Sequence, residues 1–250
     1  MRLVLLTALG VGGATVFGAA LGFAFRRISH RFSDIVLALA AGVMLAAAVI
    51  GLILPSVEIG NSIPITAIGI LLGAVCLNLM DKMVPHLHRL AGADQEAHPQ
   101  DTQRLNKVLL FVMAIAIHNL PEGLAAGVGF GTGNDAEALT IAAGIALQNI
   151  PEGMVIIAPM LAAGMGRRRT FIIAAMTGIV EVVGTILGFF AVSLSASILP
   201  FALAFAGGTM LYVISDEMIP ETHAHGSEQG ATYALLAGFC LMLAMSHYLG

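Results

Sequence analysis

Runs of about twenty consecutive apolar residues recur from one end of the chain to the other, and such a run is long enough to cross a hydrocarbon core as a helix. That core offers the backbone no hydrogen-bond partner, so a crossing segment must satisfy its own N–H and C=O groups as a helix or close into a barrel. These runs are too long and too uniformly apolar for barrel strands, in which lipid-facing and lumen-facing residues alternate. The chain therefore reads as an all-α polytopic membrane protein. Its composition agrees, with 58% hydrophobic and 10% charged residues.

Eight spans can be drawn, at 3–25, 34–56, 63–82, 107–130, 136–164, 170–196, 199–221 and 229–249, making one transmembrane domain over 1–250. The first run exceeds the apolar stretch of a secretory signal, about 7–15 residues, and no small-residue cleavage site precedes Arg26, so it too reads as a span. The longest connection, 83–106, contains His86, His88 and His98. Arg26, Arg27 and Arg31 lie in the first loop, Lys82, Arg89, Arg104 and Lys107 flank the third, and Arg167, Arg168 and Arg169 form the fifth; the even loops and the seventh have no Lys or Arg. Basic residues accumulate on cytoplasmic loops. Odd-numbered loops are therefore expected in the cytoplasm and both termini outside, in a bacterial inner membrane, since the loops are short and no organelle-targeting segment is visible. Cys76 and Cys240 both fall in spans, which gives neither a disulfide framework nor a thiolate cluster. The net charge of -4 includes no basic patch that would suit nucleic acid.

One polar hexapeptide stands out twice from this apolar background. His118-Asn119-Leu120-Pro121-Glu122-Gly123 lies in the fourth span and Gln148-Asn149-Ile150-Pro151-Glu152-Gly153 in the fifth. An ionisable residue at the bilayer centre costs about 2.5–3.5 kcal/mol on insertion scales, and such residues mark ion or substrate pathways. At about 100° of rotation per residue, Glu122 projects between His118 and Asn119, and Glu152 stands in the same relation to Gln148 and Asn149. Spans packed face to face would make a cage with room for two cations. One site would use His118, Glu122, Gln148 and Glu152; the other would use Asn119, Glu122, Asn149 and Glu152, with the glutamates bridging. Glu181, the lone acid of the sixth span, could complete the second site. Three carboxylates supply -3 against +2 for one divalent ion or +4 for two, so charge alone permits either occupancy. Each proline removes a backbone N–H and displaces the helical bond to the carbonyl four residues earlier, here Ile117 and Leu147, so kinks are expected in spans four and five.

Imidazole, amide and carboxylate together suit borderline first-row divalent ions better than magnesium or calcium. Zinc leads, with iron, manganese, cobalt and cadmium behind it. Two other readings use the same residues. An intramembrane metal-dependent hydrolase would need an open metal position, an activated water and a general base. No His-Glu-x-x-His occurs and His118 is the one histidine well inside a span, so the chain is not expected to be an enzyme. A monovalent-cation or proton-coupled carrier would use the glutamates only to exchange protons.

The paired motifs, the eight spans and the His-containing loop between spans three and four together resemble the ZIP (Zrt/Irt-like) family of divalent-metal transporters, in its GufA-like bacterial branch. The resemblance implies a binuclear centre on His118, Asn119, Glu122, Gln148, Asn149, Glu152 and Glu181, and metal entry into the cytoplasm. It further implies homodimerisation and an elevator-like movement of spans 1, 4, 5 and 6 against spans 2, 3, 7 and 8. Met44 matches a second-span position where similar proteins offer a thioether to the first site. Glu58 resembles an entrance acid. Asp81, His86, His88 and His98, and Asp216, Glu217, Glu221, His223 and His225, resemble exit-path or regulatory ligands. Gln148 stands where many relatives have His and Asn149 where some have Asp, and both changes weaken ligand basicity and charge.

Overall fold

The computed structural model describes the backbone of residues 1–24, 29–90 and 99–250, and the side chains of these residues apart from 83–90, 99–111 and 114. Eight long helices run through the described residues: α1 (Arg2–Ala24), α2 (His30–Gly60), α3 (Ile63–Leu90), α4 (Pro99–Gly129), α5 (Asp135–Ala162), α6 (Arg167–Leu194), α7 (Ala196–Thr222) and α8 (Glu228–Leu249). Seven of them are long and apolar enough to cross a membrane. The connection drawn at 83–106 is shorter than the sequence suggests, because 83–90 continue α3 and 99–106 already belong to α4. Polar residues end a membrane span without ending a helix, since a backbone already hydrogen-bonded within itself carries on into water.

Two helices change pitch. Residues Ala47–Ile53 of α2 and Ile214–Met218 of α7 are π-helical. Each wide turn precedes a proline, Pro55 or Pro220, whose ring would clash with the carbonyl four residues back, Gly51 or Asp216. Widening to i→i+5 bonding relieves that clash without breaking the helix, and such turns often occur at functional sites. Pro121 and Pro151 lie inside α4 and α5, which continue past them.

The helices pack as two groups. In the first, α1 lies on α5 and α6, and α4 lies on α6; in the second, α2 pairs with α8 and α3 with α7. Glycines set these pairings. A Cβ on Gly18 of α1 would run into Ile150 O of α5, and one on Gly153 of α5 into Thr15 O of α1. The same reciprocity joins Gly42 to Leu235 O and Gly238 to Leu39 O between α2 and α8, and Gly73 to Phe205 O and Gly208 to Ile70 O between α3 and α7. Small residues allow this backbone-to-backbone approach in membranes, where packing replaces the hydrophobic effect as the force between helices. Contact between the groups has a different texture. Gly51 faces the Ile141 side chain and Gly144 faces the Met242 side chain, within a buried apolar cluster that also holds Met44, Ala126, Ile145 and Met210.

The outer surface is apolar. On α6, Ile172, Met176, Ile179, Val183, Leu187 and Phe190 are exposed at three- and four-residue intervals, which places them on one outward stripe. An exposed apolar surface of this extent suits lipid and not water, so the chain is a polytopic helical membrane protein.

Candidate metal centre

The two hexapeptides bring their polar side chains together inside the first helix group. His118, Asn119 and Glu122 of α4 and Gln148, Asn149 and Glu152 of α5 are all buried, as is Glu181 of α6. Gln148 Nε2 donates to Glu122 Oε1 at 2.8 Å. Asn119 Nδ2 donates to Glu181 Oε1 at 2.6 Å and Asn149 Nδ2 to Glu181 Oε2 at 2.5 Å. A third donor comes from α1, where Thr15 Oγ1 reaches Glu181 Oε1 at 2.5 Å. Four helices thus meet at one carboxylate.

These bonds decide which way the amides point. A carboxylate only accepts, so each Asn or Gln beside one must turn its NH2 group toward it and its oxygen away. The result is a set of buried oxygens without hydrogen-bond donors: Asn119 Oδ1, Asn149 Oδ1, Gln148 Oε1, Glu122 Oε2 and Glu152 Oε2. The Glu122 carboxylate also interacts electrostatically with those of Glu152 and Glu181. Buried polar atoms are ordinarily paired, and an unpaired group costs about 1–3 kcal/mol, more when charged. Five such acceptors among three buried acids are a poor arrangement for an empty interior and a good one for a cation.

His118 faces the other helix group. Its Nε2 lies 2.9 Å from Glu217 Oε1 of α7 and 3.4 Å from Asp81 Oδ1 of α3. Neither approach has hydrogen-bond direction, and both Asp81 oxygens and His118 Nε2 lack hydrogen-bond partners. One ligand atom from each of the three residues lies within 4.8 Å of the others, which is compact enough to share one ion. The Asp81 and Glu217 side chains are 23% and 37% exposed, against 2% for His118, so this trio grades from the buried centre toward solvent. Glu217 and Asp216 belong to the π-helical turn before Pro220. A cavity of about 500 Å³ reaches His118 and Glu152 from that end, with Asp216, Glu217 and Glu221 on its wall.

The other sequence candidates divide clearly. Met44 is wholly buried in the apolar cluster between the groups. Glu58 is exposed near the opposite end of α2. His223 is occupied within its own neighbourhood: Nδ1 lies 2.8 Å from Ile219 O and Nε2 3.1 Å from Thr232 Oγ1. The side chains of His86 and His88 and the whole of His98 lie outside the described residues. Thr15, His30 and Asp34 were not singled out from the sequence. Thr15 is one of only two hydroxyl residues in α1, and His30 and Asp34 are four positions apart on α2; both patterns are visible signals.

Comparison with known proteins follows the same line. Residues 85–246 match the family model described as ZIP Zinc transporter. The chain is 41% identical to the zinc transporter GufA of Myxococcus xanthus, covering 80% of each chain. It is 37% identical to the zinc transporter ZIPB of Bordetella bronchiseptica, over 95% of this chain and 78% of that one. It is 31% identical to the human zinc transporter ZIP11, over 95% and 94%.

Proposed function

Because the chain belongs to the ZIP family of zinc transporters, we propose that it carries zinc ions across the membrane through the site at His118, Glu122, Gln148 and Glu152, with a second ion position at Asn119, Asn149 and Glu181. The observation behind this reading is the group of five buried oxygens that have no donor. In it Glu122 and Glu152 bridge the two positions, and the amide oxygens complete each shell. Iron, manganese, cobalt and cadmium fit the same donor set, and the names of the relatives favour zinc. The second position is guarded: Glu181 already accepts from Thr15, Asn119 and Asn149, so an ion there must displace hydrogen bonds. That asymmetry favours filling the His118 position first.

The path runs from the buried centre past His118 to Asp81 and Glu217 and out through the cavity at the end of α7. The placement of Lys and Arg makes that end cytoplasmic, so both termini are external and the structure faces inward. Pro121 and Pro151 leave the carbonyls of Ile117 and Leu147 without their helical N–H partners within the two helices that carry the hexapeptides. Movement follows from the packing. The first helix group carries the ion ligands as a unit held by glycine-to-backbone contacts, and it meets the second group through side chains that can slide past one another. In this reading the chain is one transport domain of an inner-membrane homodimer.

The test is zinc flux into proteoliposomes, comparing the wild-type chain with Glu122→Ala and Glu152→Ala. Flux by wild type and none by either folded variant is expected. Equal flux by all three would overturn the assignment of the site.

A further inference from the structure

A second polar cluster lies apart from this path, where the N-terminus of α2 meets the turn between α7 and α8. His30 and Asp34 share one face of α2, four residues apart. The turn brings His225 against them, with Nδ1 3.1 Å from Asp34 Oδ1. Its ring stacks on that of His30, with centroids 4.9 Å and planes 25° apart. Asp34 is 2% exposed, and its other oxygen, Oδ2, is buried without a hydrogen-bond partner. The two histidines are exposed. An acid buried at the foot of two accessible imidazoles, with an oxygen that nothing in the described residues satisfies, requires an explanation that packing does not supply.

We propose that His30, Asp34 and His225 bind a divalent transition-metal ion at a site separate from the transport centre. Two imidazoles and a carboxylate are a borderline donor set that suits zinc, cobalt or nickel. Ligand atoms about 2.0–2.1 Å from one ion, at angles between octahedral and tetrahedral, stand about 2.9–3.4 Å apart. The 3.1 Å separation of His225 Nδ1 and Asp34 Oδ1 falls inside that window. The ion takes His225 Nδ1, the Asp34 carboxylate, whose Oδ2 otherwise has no hydrogen-bond partner, and a nitrogen of the exposed His30 ring, and water fills any remaining position. Both elements border the cavity: Leu37, three residues beyond Asp34, and Ala224, next to His225, are on its wall. An ion here fastens the turn at 223–227 to α2 at the rim of the opening without touching a transport ligand.

The full chain carrying Glu122→Ala and Glu152→Ala, which disable the central site, and Glu217→Gln, which removes one acid of the Asp81–His118–Glu217 trio, is purified in detergent and titrated with cobalt(II), read by visible absorption and by bound metal. It is compared with the same protein carrying His30→Ala and His225→Ala in addition. Binding of one further cobalt ion by the first protein is expected, with at least about tenfold weaker binding after the two histidine changes. Identical uptake by the two proteins overturns the proposal. A second measurement needs no change at the cluster: cobalt should slow hydrogen exchange across residues 219–230 of the first protein, and unchanged exchange overturns the proposal equally. Neither readout uses flux, so this site stands or falls independently of the transport assignment.

Discussion

His118 and Glu217 lie on different helix groups, yet Nε2 of one is 2.9 Å from Oε1 of the other. The imidazole thus stands at a junction, with the buried carboxylates of its own group on one side and the acids of the second group on the other. On the proposed path, an ion leaving Glu152 would meet Glu217 while still within reach of His118.

Glu217→Gln keeps the size of that side chain and removes its charge. Zinc flux should fall about tenfold, the lower end of what changes around metal ligands typically cost, while equilibrium zinc binding at the central site changes little. Flux and binding on one preparation separate the two effects, and parallel losses would place Glu217 inside the central site.

Thr15→Val removes one of three donors to Glu181 and leaves shape nearly unchanged. A polar contact between membrane helices is worth about 0.6–1.7 kcal/mol, so a lowered thermal midpoint is expected, and Thr15→Ser should restore it. With Glu181 less occupied, binding at the second position should also strengthen, which zinc stoichiometry would reveal.

Two glycines of α1 make opposite predictions. A Cβ on Gly13 meets nothing within 4 Å, whereas one on Gly18 meets the Ile150 carbonyl. Gly13→Ala should be neutral or slightly stabilising. Gly18→Ala should cost about 1–3 kcal/mol or more through overpacking. Detergent melting curves of the two variants side by side decide the matter.

Pro220→Ala restores a backbone N–H and removes the ring that opposes an ordinary α turn. The π-helical segment should tighten, rotating Asp216 and Glu217 relative to His118. Reduced flux with intact central-site binding is expected. A structure retaining the wide turn in the variant would show that its cause lies elsewhere.

The long helices were legible because lipid demands long apolar runs, and the paired hexapeptides were legible because polar residues are so conspicuous among them. The pitch changes were not, although Pro55 and Pro220 are plain in the sequence: proline predicts a disturbance and does not say whether a helix kinks, ends or widens. The bond from Thr15 to Glu181 joins residues 166 positions apart, and the Asp34–His225 pair is separated by 191. Helical periodicity orders residues around one helix and carries no information about which face of another it meets. For the same reason Asp81 and Glu217 could be named as path residues from resemblance, while their closeness to His118 needed the packed helices.

The two kinds of helix contact have a consequence for how such a protein can adapt. If the two groups slide past one another as proposed, selectivity would be written in the ligands, whereas speed would depend on the friction between blocks, set at places such as Gly51 against Ile141 and Gly144 against Met242. These positions hold no ion. A lineage moving to colder or warmer surroundings could retune the rate there, one methyl group at a time, without changing which metal is chosen.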